Sequence, residues 1–274
     1  KYTDLPGRIN DCGKSVGCNA VLAFGWWSDG MDNGYPEYNE PYPGAYKVLE
    51  ENIRKVQEMG GHVILVCNAH FVDKSTDYYK KYGQEVELLN IEGNSYPKRF
   101  AYSGLGEFNS SYRGTDFAIC CFGSERWRKQ VISQLKMMGD DFGADCVFAD
   151  CVGGCPMQPC FNPTHEHGYR PDGEWTGHRK FFQEAMDYSY ASGKVFGTEV
   201  LTDIAASYTQ FVHSLVNAEF KIKSNLCPEM FRYTFPEVIT SCRHIQNSYG
   251  DFAKQFKYAL TMGVRIDAAL FGCR

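Results

Sequence analysis

A repeated pair of segments narrows the possible folds most: a short run of consecutive apolar residues, then a segment with one apolar stripe. The runs inside "HVILVCNAH" (62–70), "DCVFAD" (145–150) and "KVFGTEV" (194–200) do not alternate apolar with polar. Strands of that kind are buried on both faces, as in parallel sheets covered by helices. Between them, "GAYKVLEENIRKVQEMGG" places Tyr46, Leu49, Ile53, Val56 and Met59 on one helix face, and the glycines at 60 and 61 are a stop signal. "ERWRKQVISQLKMMGDDFG" does the same with Trp127, Val131, Leu135 and Met138, and Ser124 can cap it. "GHRKFFQEAMDYSYASG" reads as a further helix.

Other strand candidates are "NAVLAFG" (19–25), "FAICCF" (117–122), "YTQFVH" (208–213), "FRYTF" (231–235) and "VRIDAALFG" (264–272), the last after the helical "YGDFAKQFKYALTMG". The total of about eight is the number that closes a (β/α)8 TIM barrel, the fold class expected here, with long loops at its C-terminal face. The rival, an open doubly wound sheet, would carry a G-x-G-x-x-G turn after its first strand. "GWWSDGMDNG" (25–34) has the glycines but not that pattern. A chain of 274 residues suits one such barrel of about 250 residues. No linker divides it, so residues 1–274 are expected to form a single catalytic domain. It opens at Lys1 inside structured-looking sequence, as a piece of a longer protein would.

Charge and cysteine content limit the partners. A net charge of -5 without Lys/Arg runs offers nothing to a phosphate backbone, so no nucleic-acid partner is expected. No apolar stretch reaches the roughly 20 residues of a membrane helix, so no membrane partner is expected either. Of the 12 cysteines, Cys67, Cys120, Cys121 and Cys146 lie inside apolar runs and read as small buried residues. That pattern favours a reducing cytoplasm over a disulfide-stapled secreted domain.

Barrel chemistry sits at the carboxyl ends of the strands. The first such loop carries Trp26, Trp27, Asp29, Asp32, Tyr35, Glu37 and Tyr38; the second carries Asn68, His70 and Asp73. The fourth strand ends at Asp150, the fifth at Glu199, and Tyr233 and Glu237 lie near the seventh. Aromatic rings pack on the C–H faces of sugars, while Asp and Asn accept from hydroxyls. Glycosidic hydrolysis commonly uses two carboxyl groups flanking the scissile bond. Asp150 as nucleophile and Glu199 as acid/base satisfy that need from adjacent strand ends. Trp26, Trp27, Asp29, Asp32, Asn68, His70, Tyr233 and Glu237 are the expected substrate contacts.

After Asp150 come about 25 residues rich in Cys, Pro, Gly and His, where strand-to-helix loops ordinarily take about 2–6. Cys151, Cys155, Cys160, His165 and His167 are all potential zinc ligands, but they lack the paired C-x2-C and H-x3-5-H spacing of common structural sites. The preferred reading makes this segment a subsite wall whose His165 and His167 bond substrate hydroxyls, with no metal or cofactor. A carbohydrate-binding barrel without catalysis and a metal-dependent hydrolase remain as alternatives.

Several stretches together carry a resemblance: "GWWSDGMDNGYPEY", "CNAHFVDKSTDYY", "CFGSERWRK", "GADCVFADCVGG", "CFNPTHEHG" and "GTEV". In this order, from about Ala20 to Arg274, the chain resembles a family of bacterial glycoside-hydrolase-like TIM-barrel domains of unknown function. The resemblance implies a barrel, carbohydrate chemistry and an oligosaccharide or glycoside substrate. The Asp-then-Glu arrangement is distantly similar to the α-amylase superfamily and the endo-α-N-acetylgalactosaminidases. That similarity implies an Asp150 nucleophile, a Glu199 acid/base and retention at an α-linkage. It departs at Phe148, where the α-amylase pattern has Arg, and Glu237 only loosely matches that pattern's later Asp.

Overall fold

A computed structural model describes residues 5–8, 17–98, 115–154, 157–200, 202–217, 228–243 and 252–266. Its strands in chain order are β1 (Ala20–Ala23), β2 (His62–Asn68), β3 (Phe71–Asp73), β4 (Pro97–Lys98), β5 (Phe117–Ile119), β6 (Cys146–Asp150), β7 (Val195–Glu199), β8 (Phe211–Asn217), β9 (Ile239–Arg243) and β10 (Arg265–Ile266). The helices are α1 (Leu5–Arg8), α2 (Ala45–Glu58), α3 (Asp77–Val86), α4 (Glu125–Lys136), α5 (Gly173–Ser192), α6 (Asp203–Ala206), α7 (Pro228–Thr234) and α8 (Phe252–Thr261). One π-helical turn, Met137–Asp141, extends α4.

Seven strands form one sheet in the order β1-β2-β6-β7-β8-β9-β10, with every neighbouring pair parallel. The order only advances along the chain. A doubly wound sheet must reverse at a switch point; this one does not, so its winding is that of a barrel.

Two expected barrel strands are corrected. The "FAICCF" segment supplies β5, which lies in a separate three-stranded antiparallel sheet, β3-β5-β4. Its place beside β2 is taken by β6, bonded from Ile64↔Cys146 to Asn68↔Asp150. β5 pairs instead with Phe71–Asp73, which follow β2 directly. "FRYTF" falls largely in helix α7, not a strand. Pro228 suits the first helical position, and Phe231 and Phe235, four residues apart, bring their rings to 5.2 Å. The strand forms later, at Ile239–Arg243. Of "VRIDAALFG", the part beyond Ile266 lies outside the described residues.

Period-two alternation sorts the central strands into two faces. Val63, Leu65, Cys67, Val147, Ala149 and Phe196 join one buried cluster with Leu49, Ile53 and Val56 of α2, Trp127, Val131 and Leu135 of α4, and Phe181 and Phe182 of α5. Each Val, Leu, Ile or Phe among them contributes about 1.5–3 kcal/mol on burial. Ser124 caps α4 as expected, accepting from the Trp127 N–H. The intervening residues, Phe148 and Asp150 on β6 and Gly197 and Glu199 on β7, turn to the other face.

Candidate active site

Register aligns the polar residues at one end of the sheet. Asn68 pairs with Asp150, Ala149 with Thr198, and Glu199 with His213. Asn68, Asp150, Glu199 and His213 therefore lie side by side on four adjacent strands, on the face away from the helices. One carboxylate oxygen each of Asp150 and Glu199, together with the Cys151 sulfur, lie within 4.8 Å of one another, and both carboxylates are half-buried. Cys151 donates its S–H toward Asp150 Oδ2 at 3.4 Å.

The backbone around the pair is strained and tightly joined. Cys151 (φ 63°) and Val200 (φ 53°), the residues that follow the two carboxylates, are both left-handed. For β-branched valine that region is a true outlier, and such strain costs on the order of 1–3 kcal/mol and persists only where packing enforces it. Packing does so here: a Cβ on Gly153 would meet Val200 O at 2.5 Å and Glu199 O at 2.7 Å, so only glycine lets the loop after β6 close on the end of β7. The buried Thr198 hydroxyl donates to Ala149 O at 2.8 Å and clamps the same two strands.

The loop after β1 backs this end of the sheet. Trp26 and Trp27 are only 1% and 3% exposed, and their indole N–H groups donate to Val66 O and Asn33 O, each at 2.8 Å. Neither has a face open for stacking on a sugar. They pack instead behind the tyrosines, Trp26 stacked on Tyr38 at 5.2 Å and Trp27 tilted against Tyr35 at 5.6 Å. Burial, then Asp32 and more weakly Asp150, raises the Tyr35 phenol well above its ordinary value. Burial also raises Tyr38, with smaller contributions from Cys67 and Asp150. The Tyr38 hydroxyl accepts from Asn68 N at 2.7 Å.

The remaining expected contacts separate into groups. Asp32 is buried; the Tyr35 hydroxyl accepts from its N–H and donates to its Oδ1. Asp29 is exposed and lines a cavity of about 520 Å³ with Glu37, Asp73 and Asp116. Asn68 Oδ1 accepts from the His70 and Phe71 N–H groups, while its buried Nδ2 has no hydrogen-bond partner among the described residues. Buried His70 sets Nδ1 3.3 Å from Cys151 O and Nε2 3.7 Å from Glu174 Oε1. Tyr233 (90% exposed) and exposed Glu237 precede β9, which puts them toward the opposite end of the sheet from Asp150. His165 and His167 do not extend over the mouth; they are buried beside Cys121 and Cys160.

Glu174, and the place of the expected buried Cys121 beside the Cys/His loop, escaped sequence reasoning. Glu174 sits in the first turn of α5, where a carboxylate ordinarily favours the helix dipole from the surface. Here it is fully buried, accepts from Phe122 N at 2.6 Å, and is pushed up to about 7 by burial against the opposing pull of His70.

Residues 2–233 match the family model for a domain of unknown function, DUF6259. The chain belongs to that family. It is 26% identical over 198 residues to a Bacteroides thetaiotaomicron protein described as "Putative glycoside hydrolase", which aligns with 68% of this chain and 26% of the relative. The chain thus spans about a quarter of that relative's length. Among solved structures, ligand-free α-N-acetylgalactosaminidase NagBb from Bifidobacterium bifidum superposes with a TM-score of 0.72 at 15% identity, over 99% of this chain and 43% of NagBb. The α-galactosidase TtGalA from Thermus thermophilus, in complex with stachyose, gives 0.62 at 12% identity, over 97% and 57%. This DUF6259 chain therefore has a glycoside-hydrolase-like sequence and a TIM-barrel-like architecture, with seven parallel strands among the described residues.

Proposed function

We propose that this domain hydrolyses glycosidic bonds with retention of configuration, using Asp150 as nucleophile and Glu199 as acid/base. One observation carries the reading: the two carboxylates end neighbouring parallel strands and approach within 4.8 Å. Retaining pairs stand about 5–5.5 Å apart, whereas inverting pairs need about 6.5–9.5 Å to admit a water between them.

In this mechanism Asp150 attacks the anomeric carbon as the glycosidic C–O bond breaks, and Glu199 protonates the departing oxygen. Glu199, now anionic, takes a proton from a water that attacks the same carbon. The C–O bond to Asp150 then breaks, releasing the sugar and restoring both carboxyl groups. Tyr35, Tyr38 and Asn68, buried like the two tryptophans, support this end of the sheet around the carboxylates. The family relative supports glycoside hydrolysis, and the names of the two solved glycosidases support an α-linked substrate. The fold likeness also supports a complete eight-stranded barrel.

Asp150→Asn and Glu199→Gln are the test. Each should keep the wild-type far-UV spectrum and melting temperature and lose hydrolysis of a responsive aryl glycoside. The loss at Glu199 should be about 10²–10⁴-fold. Full activity in either variant would refute the assignment.

A further inference from the structure

The long segment after β6 closes around a group of side chains that the hydrolytic reading does not use. The sulfurs of Cys121 and Cys160 and one ring nitrogen each of His165 and His167 all lie within 4.8 Å of one another, and all four residues are buried. Cys121 Sγ is 3.4 Å from His167 Nε2, Cys160 Sγ is 3.4 Å from His165 Nδ1, and the two ring nitrogens are 3.3 Å apart. A tetrahedral ion with Zn–N of about 2.0–2.1 Å and Zn–S of about 2.3 Å sets N···N edges of about 3.3 Å and S···N edges of about 3.6 Å. The donor atoms are already spaced close to such a tetrahedron.

The surroundings point the same way. The His167 ring fills a slot between two glycines: a Cβ on Gly173 would lie 2.1 Å from its Cγ, and one on Gly123 would lie 2.4 Å from its Cδ2. Gly123 N donates to Cys121 Sγ at 3.3 Å. Donors directed at sulfur favour the thiolate, the form that ligates metal. Both cysteines are free of disulfides.

We infer that Cys121, Cys160, His165 and His167 bind one zinc ion. Two thiolates and two imidazoles in a tetrahedron are a zinc donor set, and four protein ligands leave no open position for substrate or water, so the ion is structural. It joins three ligands from the loop after Asp150 to one that follows β5. The same loop is also tied to α3 and the segment after it, where Asn162 Nδ2 donates to Gln84 O and Glu87 O. The length of the segment thus has a cause: it must leave β6, reach the side sheet, deliver three ligands and return to α5.

The test uses the intact chain, expressed with added zinc and purified in reductant without chelator or an immobilised-metal column. Elemental analysis should find about one zinc per chain. Cobalt exchanged into the same protein should give sulfur-to-metal charge-transfer absorption and the intense visible bands of tetrahedral coordination. Cys160→Ser and His165→Ala should lose both signals. Should either variant fail to fold, the cobalt spectrum of the wild-type chain decides alone. Absence of stoichiometric zinc from the wild type, a weak octahedral cobalt spectrum, or a Cys121–Cys160 disulfide in the reduced preparation would overturn the inference.

Discussion

The convergence of Asp150 and Glu199 was legible in the sequence because each interrupts an apolar run at the end where barrels keep their chemistry. Their partners were not. Cys121 looks like any buried cysteine in a strand, and Glu174 like any carboxylate in the first turn of a helix; only the fold reveals that Glu174 is buried and that Cys121 meets Cys160, His165 and His167. Trp26 and Trp27 misled in the opposite sense, since an indole suits a sugar face and a packed core equally well. His178 is another buried polar residue without a sequence signal, and it carries a pH prediction. It is 1% exposed, with Nε2 2.9 Å from Val152 O. Burial, aided by the charge of His70, holds its imidazole down at about 4. The native state keeps His178 neutral while the unfolded chain takes up a proton near its ordinary value of about 6.5. Its contribution is therefore complete above about pH 6.5 and is lost as the pH falls toward 4, by about 3 kcal/mol in all. Urea unfolding across that range should show a steeper loss in the wild type than in His178→Gln; parallel slopes would contradict this.

Helix α5 shows how an element can depend on a residue its own propensity disfavours. Gly177 lies inside the helix, where alanine is better by up to about 1 kcal/mol. Yet a Cβ there would lie 2.1 Å from both Phe122 C and Phe122 O, and backbone cannot move aside as a side-chain tip can. Gly177→Ala should therefore destabilise, by about 1–3 kcal/mol, as measured by chemical denaturation; a gain in stability would mean that α5 stands further from the 122–123 segment. The long amphipathic elements were readable because their stripes bury one face each, as α2 and α4 do. β9 was not, because "ITSCR" buries Thr240 and Ser241, which carry no hydrophobic signal. The "FAICCF" run was read correctly as a strand but in the wrong sheet, since an apolar run reports burial and not which neighbour it pairs with.

At the scale of the molecule, a sheet that winds in one direction brings the ends of successive strands to one site, so residues as many as 82 positions apart, such as Asn68 and Asp150, become register partners. The zinc cluster would stand beside that site and not in it, connected through Glu174, His70 and Cys151. Under these two proposals strap and carboxylate pair have separable roles: the metal would fix the loop that leaves Asp150, and the carboxylates would do the chemistry. No helix among the described residues is long and apolar enough to cross a membrane. The most direct measurement offers the wild type, Asp150→Asn and Glu199→Gln a common panel of aryl α- and β-glycosides and follows the first-formed anomer by NMR. The account predicts that the wild type turns over an α-glycoside to a product of retained configuration and that both variants fail to. Inversion, turnover by either variant at the wild-type rate, or a wild type inert to the whole panel would contradict it.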